Sequence, residues 1–167
     1  MEELERLSVE DAQNADKHKI IVIMDDIRSM HNVGSAFRTC DAFFVEAIYL
    51  CGYTPQPPHR EIHKTALGAT ETVSWKYFET TQEAVAAAKA EGYAIIAIEQ
   101  AHDSIPLQEF KWDKQPLALV FGNEVSGVNE EVMQQADKCI EIPQWGSKHS
   151  LNISVSMGVV LWELVRG

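Results

Sequence analysis

An α/β fold, a mostly parallel sheet with helices on both faces, is predicted by two features of the sequence. Short runs of consecutive apolar residues, such as residues 20–24, alternate along the chain with segments of helical pattern. Strands that are apolar on both sides lie in sheets with both faces covered, and such sheets are mostly parallel. The chain has 167 residues, the length of one domain, so we predict a single domain over residues 1–167.

The elements predicted before residue 80 follow from apolar runs and from the residues that interrupt them. Residues 20–24 form a β-branched run, which the acidic residues at 25 and 26 close. Residues 52–60 contain three prolines and are predicted to be a loop, because proline donates no backbone hydrogen bond. The other expected elements are a short peripheral helix within residues 1–18, a helix that opens at Asn32 and runs to residue 42, a strand at 46–51, a short helix at 63–67 and a strand at 72–78.

The second half of the chain continues the alternation. Thr80 or Thr81 caps an alanine-rich helix over residues 82–90, which Gly92 terminates. The later predicted elements are strands at 93–98, 116–121 and 139–142 and helices at 129–136 and 151–165. The last helix is apolar on nearly every face, which predicts burial. In a chain this short, a subunit interface is one place where this helix can be buried.

Composition excludes several classes of protein. No apolar run reaches the roughly 18 residues of a membrane span, and residues 1–6 lack the basic and apolar regions of a signal peptide. Cys40, Cys51 and Cys139 show no paired spacing, which argues against a disulfide framework and a zinc site. We therefore expect a cytoplasmic protein with no membrane segment and no bound metal.

The net charge of −11 is unfavourable for a protein that binds nucleic acid, since phosphate contacts supply much of the affinity. Several basic residues nevertheless lie near one another in the sequence pattern and could form a local basic patch on an acidic body. The alternative is that they are solvated surface residues, and the sequence leaves both interpretations open. The residues in question are Arg28, His31, Arg38, His59, Arg60, His63, Lys64, Lys148 and His149, of which Arg28, His31, Arg60, Lys64, Lys148 and His149 are the candidate RNA contacts.

Familiar nucleotide-binding fingerprints are missing. Gly122 and Gly127 have the spacing of a phosphate-binding loop, but the lysine and hydroxyl residue that complete that motif do not follow. No GxGxxG sequence follows the first strand. Kinase, NTPase and dinucleotide-binding interpretations therefore lose support.

Three segments in order resemble the sequence motifs of the SpoU (TrmH) family. They are residues 32–39 (NVGSAFRT), 121–127 (FGNEVSG) and 142–155 (IPQWGSKHSLNISV). Residues 41–43 (DAF) and 64–69 (KTALGA) also look like that family. All three motifs follow predicted strands, where ligands bind in parallel α/β sheets. The resemblance spans about residues 20 to 165.

The resemblance implies a fold and an activity. Members of this family are S-adenosylmethionine-dependent RNA ribose 2′-O-methyltransferases of the SPOUT superfamily, in which the C-terminal segment threads through an earlier loop as a deep trefoil knot. The implied assembly is a homodimer, with the first motif and the last helix at the interface and a site to which both subunits can contribute.

The resemblance also implies which residues hold the cofactor, largely through backbone groups. Glycine allows close backbone approach, and Ile142 and Leu151 could enclose an adenine ring. The alternative for these two aliphatic residues is ordinary core packing. The implied cofactor-binding residues are Ile98, Glu99, Gly122, Ile142, Leu151 and Asn152.

Arg38 is the main catalytic candidate. The resemblance places it at the attacking 2′-hydroxyl, on the same side of its helix as Asn32 and Gly34. A general-base role needs unusual help, because arginine stays protonated. Clamping the phosphate and orienting the hydroxyl is equally consistent. The structural alternative is an ion pair with Asp41, three residues further along the helix.

Four further residues have implied catalytic roles. Asn32 would orient Arg38 or contact RNA, and Glu124 would position Arg38 or the substrate nucleotide. Ser150 and Asn152 would shape the loop of the third motif and touch the cofactor or the ribose. Helix capping is the alternative role for Asn32, Ser150 and Asn152. Lys148 and His149 are candidate phosphate contacts.

The substrate stays open at this point. We favour tRNA over ribosomal RNA because little more than the catalytic region is present, and the motifs do not say which nucleotide is methylated. A knotted protein that binds RNA or cofactor without catalysis is an alternative, which the acidic charge favours and the intact motifs oppose. An α/β enzyme acting on a small molecule gives no reason for the three motifs. The charge also leaves room for a helper protein.

Overall fold

A seven-stranded sheet in which every pairing is parallel forms the centre of the computed structural model, which describes residues 6–148 and 150–167. The strands are β1 His18–Asp25, β2 Val45–Cys51, β3 Ser74–Phe78, β4 Ala94–Ile98, β5 Ile105–Pro106, β6 Leu117–Phe121 and β7 Lys138–Glu141. Their order across the sheet is β3-β2-β1-β6-β4-β7-β5. The carboxyl ends of β4, β6 and β7 therefore lie side by side, and each is followed by a loop.

Helices cover both faces of this sheet. They are α1 Val9–Asn14, α2 Met30–Ala42, α3 Arg60–Ala66, α4 Ala69–Thr72, α5 Thr81–Ala90, α6 Glu130–Gln135 and α7 Ile153–Val165. Alternate residues of β1 enter two separate cores: Ile20 and Val22 pack in one, with α2, α3, α4 and α7, and Ile21 and Ile23 in the other, with α5 and α6. This alternation follows from the strand period of two residues. The predicted α/β class with a parallel sheet is confirmed.

The first motif enters its helix earlier than predicted. The helix α2 begins at Met30, not at Asn32, and Ser29 is its N-cap, with Oγ accepting a hydrogen bond from the Asn32 backbone N–H at 3.2 Å. Because a serine already caps the helix, the Asn32 side chain is free for other contacts. Capping, the alternative role for Asn32, is therefore performed by another residue.

The predicted start of one strand needs correction, and one strand was missed. Thr72 lies in the short helix α4, and the strand predicted from it begins at Ser74. Leu67 and Gly68 both adopt left-handed backbone conformations, which end α3 and turn the chain into α4. The two-residue edge strand β5 was not predicted, since it is too short to show a pattern.

The last helix is not buried on all sides within one chain. It begins at Ile153, and Asn152 is its N-cap, with Oδ1 accepting a hydrogen bond from the Ser154 N–H at 2.9 Å. One face packs in the core, whereas Val155, Val159 and Trp162 are 52%, 40% and 58% exposed. Spaced at four and three residues, these three side chains form an apolar stripe on the outer face.

The N-terminal prediction is met in part. A short helix, α1, lies within residues 1–18 and buries only Ala12, as a peripheral helix should; residues 1–5 lie outside the described part. No helix in the ranges that the structure describes has both the length and the apolar character needed to cross a membrane.

Candidate active site

A cavity of about 660 Å³ opens at the carboxyl ends of β4, β6 and β7. Such a volume is typical of sites for small molecules and cofactors. The second and third predicted motifs meet here with the end of β4, although residues 98, 122 and 142 are far apart in the sequence. All six residues predicted to hold a cofactor line the cavity: Ile98, Glu99, Gly122, Ile142, Leu151 and Asn152.

The loop after β6 is closed by backbone contacts that depend on glycine. Asn123 and Gly127 exchange backbone hydrogen bonds at 3.0 and 2.9 Å. A Cβ at Gly122 would overlap with the backbone of Gly127 and Val128. Gly127 has a φ of +71°, a conformation that favours glycine. The close return of the chain on itself therefore requires both glycines and shapes one wall of the cavity.

The Glu99 carboxylate supports the same wall. Its Oε2 accepts a hydrogen bond from the Val128 N–H at 3.0 Å, and its Oε1 accepts one from the Gln100 N–H at 3.0 Å. Both oxygens have backbone donors, so this residue fixes the geometry of two cavity loops as well as lining the cavity.

The charge of the cavity favours a cationic ligand. Glu99, Glu124 and Glu141 are among the lining residues. None of the described residues that line it is lysine, arginine or histidine. A nucleotide phosphate would lack a charged partner on these walls, whereas a ligand with positive charge would be stabilised by them.

Three predicted site residues form a hydrogen-bonded chain at the rim of this cavity. The Asn32 Nδ2 donates to Glu124 Oε1 at 3.1 Å, and the Asn152 Nδ2 donates to Asn32 Oδ1 at 3.3 Å. This chain joins all three motifs, each through one polar side chain. Ser150 also lines the cavity, three residues before the first turn of α7. Asn152 both caps α7 and joins the chain, and its predicted contact with the cofactor or the ribose stays a prediction.

Arg38 lies outside this cavity within one subunit. It is exposed, and it forms no ion pair with any residue of the described ranges. Its predicted alternative partner, Asp41, instead accepts a hydrogen bond from Thr72 Oγ1 at 2.7 Å. Six residues along a helix correspond to a rotation of about 240° beyond a full turn. Arg38 therefore does not share a face with Asn32, which corrects the expected placement.

The predicted basic patch is partly neutralised. Glu61 lies between two of its members: His31 Nε2 is 3.5 Å from Glu61 Oε2, and Lys64 Nζ is 3.0 Å from Glu61 Oε1. The hydrogen bond from Lys64 and the nearby positive charges lower the pKa of Glu61. Arg28 and Arg60 are exposed and form no such pair within the described residues. Arg28 and Arg60 are thus free to contact a phosphate.

The loop of the third motif carries the remaining predicted basic residues. Lys148 is exposed, in the loop between β7 and α7. His149 lies outside the described residues, so its predicted contact stays a prediction.

Asn123 is a functional residue that the sequence argument missed. Its Nδ2 donates to the Asp26 carbonyl at 2.6 Å, and its Oδ1 accepts from the Val125 and Ser126 N–H groups at 2.8 and 3.2 Å. It therefore ties the second motif to the end of β1. The signal was an asparagine at the start of a polar loop, since an asparagine side chain often accepts a hydrogen bond from the backbone N–H two residues on.

The cysteine nearest to the cavity is not suited to nucleophilic chemistry. Burial and the Glu99 carboxylate raise the pKa of the Cys139 thiol. The reactive form of cysteine is the thiolate. Cys139 thus stays protonated at neutral pH, and its Sγ contacts the Glu99 carbonyl at 3.2 Å.

The parallel sheet and the cofactor-sized cavity at the carboxyl ends of its strands place this protein among the ligand-binding α/β proteins. The sequence profile of the SpoU rRNA Methylase family matches residues 19–162. The chain belongs to this family.

Relatives in sequence are named as 2′-O-methyltransferases of tRNA or of ribosomal RNA. The chain is 34% identical over 151 residues to the tRNA (guanosine(18)-2′-O)-methyltransferase of Aquifex aeolicus, covering 88% of this chain and 69% of the relative. It is 30% identical over 164 residues to the enzyme of the same name from Thermus thermophilus, covering 98% and 83%. The 23S rRNA (guanosine-2′-O-)-methyltransferase RlmB of Nitrosomonas europaea is 30% identical, but the chain covers only 56% of it.

Solved structures agree with the sequence relatives. The TrmH/SpoU tRNA modifying enzyme of A. aeolicus has a TM-score of 0.83 at 28% identity, covering 95% of this chain and 79% of that one. The AdoMet-bound rRNA methyltransferase from Sinorhizobium meliloti has a TM-score of 0.82 at 26% identity, covering 91% and 58%.

Proposed function

We propose that this protein transfers a methyl group from S-adenosylmethionine to a ribose 2′-hydroxyl of tRNA. The observation that carries the proposal is the cavity lined by the second and third motifs, with the Asn152–Asn32–Glu124 chain joining the first motif to its rim. Membership of the SpoU rRNA Methylase family and the names of the relatives at 34% and 30% identity support the same reaction. A cytoplasmic location is part of the proposal, because tRNA is found there.

The residues present fit the proposed cofactor. Ile98, Ile142 and Leu151 offer an aliphatic surface for the flat adenine ring. The carboxylates of the lining suit a sulfonium and an ammonium group, which are both positively charged. When bound, S-adenosylmethionine supplies an electrophilic methyl group.

The rim residues position the substrate hydroxyl. Asn32 already donates to Glu124 and accepts from Asn152, so its amide is held in one orientation. Glu124 keeps one carboxylate oxygen that can accept a hydrogen bond from a ribose hydroxyl. This pre-arranged chain reduces the cost of aligning the hydroxyl for attack. Arg38, being permanently charged, clamps the adjacent phosphate and favours the developing alkoxide.

A homodimer supplies the missing arginine. In one subunit Arg38 is exposed and outside the cavity. The helix α2 packs beside α7, with Cys40 Sγ 3.9 Å from Met157 Sδ and the rings of Phe43 and Trp162 6.4 Å apart. The apolar stripe on α7 would bury against a second copy and carry Arg38 to the partner's cavity. The proposal includes the trefoil knot within each chain, and the loops after β6 and β7 that line one cavity are consistent with it.

Methyl transfer to RNA tests the proposal. Purified protein is incubated with methyl-labelled S-adenosylmethionine in two separate reactions, one with bulk tRNA and one with ribosomal RNA. The RNA is then digested to identify the labelled nucleotide. We expect label at a ribose 2′-oxygen in tRNA. Substituting Arg38→Ala should lower kcat by at least about 100-fold while leaving cofactor affinity unchanged.

The matched control is Arg60→Ala, which removes an exposed arginine of the basic patch. It should raise KM for RNA and leave kcat near the wild-type value, since a phosphate contact contributes to binding. Label in ribosomal RNA alone would replace tRNA as the substrate. Cofactor binding with no RNA labelled, even after addition of cell extract as a source of helper protein, would reject the catalytic proposal.

A further inference from the structure

A groove continues from the candidate active site along the carboxyl edge of the sheet. A second cavity of about 540 Å³ shares the loop 123–126 with the first and extends to Arg28 and Asp26. A third cavity of about 480 Å³ shares Asp26 with the second and reaches Tyr53 at the end of β2. The three cavities thus follow one another across β6, β1 and β2.

The loop that carries Tyr53 is held firmly in place. The Tyr53 N–H donates to Asp26 Oδ1 at 2.8 Å. The buried Thr54 hydroxyl donates to the Cys51 carbonyl at 2.7 Å and accepts from the Ile27 N–H at 3.0 Å. Gly52 has a φ of +63°, and a Cβ there would overlap with the Asp26 carboxylate. The backbone therefore fixes the position from which the tyrosine ring projects.

The ring itself is exposed and has a cation beside it. Tyr53 is 76% exposed, although its backbone is anchored at both sides. The Arg28 guanidinium carbon lies over one face of the ring, 5.1 Å from its centroid, which leaves the opposite face for a ligand. Arg28 makes no ion pair with any residue in the ranges 6–148 and 150–167. A flat aromatic face and an unpaired guanidinium thus stand together at the rim of a groove that leads to Asn32 and Glu124.

We propose that Tyr53 is a base-stacking platform for the substrate RNA. An unpaired base near the methylated nucleotide stacks on its ring, and Arg28 contacts the adjoining phosphate. This inference rests on the proposed function, because it takes RNA as the occupant of the groove. Aromatic stacking accepts any base, since every base has a π-face. Tyr53 therefore holds the RNA strand in the groove, while the rim residues of the active site align the reacting ribose.

Substitutions at Tyr53 separate stacking from other roles. Tyr53→Phe keeps the ring, Tyr53→Leu keeps apolar surface without a flat face, and Tyr53→Ala removes both. We expect Tyr53→Ala and Tyr53→Leu to raise KM for tRNA by about 5- to 150-fold and Tyr53→Phe to stay within about twofold of wild type. The temperature of unfolding and the affinity for S-adenosylmethionine should be unchanged in all three.

Binding of oligonucleotides gives a readout that does not depend on methyl transfer. Purines stack more strongly than pyrimidines, so wild-type protein should bind short oligo(A) more tightly than oligo(U) at low salt, and Tyr53→Ala should lose this preference. If wild-type protein methylates tRNA and Tyr53→Ala leaves KM unchanged, or Tyr53→Leu matches Tyr53→Phe, the platform is rejected. A Tyr53-dependent purine preference in a protein that methylates no RNA would reject the proposed function and keep the platform.

Discussion

Glycine residues determine the shape of the candidate cofactor cavity at the level of single atoms. The loop after β6 returns so closely on itself that even one methyl group at Gly122 would overlap with backbone atoms of Gly127 and Val128. Backbone cannot move aside as a flexible side chain can. The geometry of the cavity wall is therefore sensitive to this position, although no side chain is present there.

Replacing Gly122 by alanine should weaken cofactor binding. We expect the dissociation constant for S-adenosylmethionine, measured by calorimetry, to rise at least about tenfold, with a loss of about 1–3 kcal/mol in the free energy of unfolding from overpacking. Gly146→Ala is the matched control, since a Cβ at Gly146 would meet no atom within 4 Å. Its affinity should equal that of the wild type. Equal affinities for both variants would contradict the assigned cavity.

The sequence was enough to predict which motif residues line the cavity. It was not enough to predict on which face of a helix a motif side chain lies. The six cofactor-binding candidates do line one cavity, because parallel strands bring their carboxyl ends to a common edge. Arg38 was expected beside Asn32, and the helical rotation between them separates the two. The sequence also gave no sign of the hydrogen bonds by which Asn123 and Glu99 hold the cavity loops, since those bonds depend on tertiary contacts.

At the scale of elements, close packing between α2 and α3 holds the first turn of α2, which carries the first motif, in position. A Cβ at Gly34 would overlap with Thr65 Oγ1 and with the Ile62 carbonyl oxygen. Thr65 Oγ1 is also 3.1 Å from the His31 carbonyl, to which it donates. Gly34 therefore has a packing role, which allows α3 to lie directly against the first turn of α2, where Asn32 is found.

Substituting Gly34→Ala should destabilise the protein although alanine is the better helix former. Alanine would gain about 1 kcal/mol in helix propensity, but overpacking against α3 should cost more, giving a net loss of about 1–2 kcal/mol in urea unfolding. Adding Thr65→Ala should recover only part of this loss, because the Ile62 carbonyl remains in the way. A Gly34→Ala variant more stable than wild type would show that the two helices do not pack this closely.

The order and type of most elements were predictable, whereas their ends were not. The runs at β1, β2 and β6 are apolar on both faces, and buried parallel strands of this kind show clearly in sequence. Helix starts depend on which of several polar residues accepts a backbone hydrogen bond. Ser29 performs this role for α2, where the pattern pointed to Asn32. Burial of α7 was predicted, with a subunit interface as a place for it; one face is buried within a single chain, and burial of the other face against a partner stays a prediction.

At the scale of the whole molecule, the exposed face of α7 and the acidic net charge limit how subunits and RNA can bind to this protein. An apolar stripe of Val155, Val159 and Trp162 on the surface of one subunit marks an interaction surface. With a net charge of −11, the protein must concentrate its RNA contacts where cations are free. The proposed dimer through α7 would bury the stripe and would bring two copies of Arg38 to the shared interface, so one arrangement would meet both constraints.

Mixing two impaired variants tests whether the active site is shared between subunits, provided that the assay uses S-adenosylmethionine well below the raised dissociation constant of Gly122→Ala. Arg38→Ala subunits keep an intact cavity, and Gly122→Ala subunits keep an intact Arg38. In a mixed dimer, a site that takes its arginine from the partner has both parts intact in one of its two copies. After subunit exchange, an equal mixture should therefore recover about a quarter of wild-type activity.

In the control, Trp162→Glu is added to both the Arg38→Ala and the Gly122→Ala variant. This change places a charge in the apolar stripe, and light scattering should show that the variants are monomers. These should recover no activity on mixing, whereas Leu7→Glu, a change at an exposed apolar residue outside α7, should leave recovery unchanged. No recovery from mixed dimers that demonstrably form would mean that Arg38 acts within its own subunit. The helix α2 would then have to rotate on RNA binding to bring the arginine to the cavity.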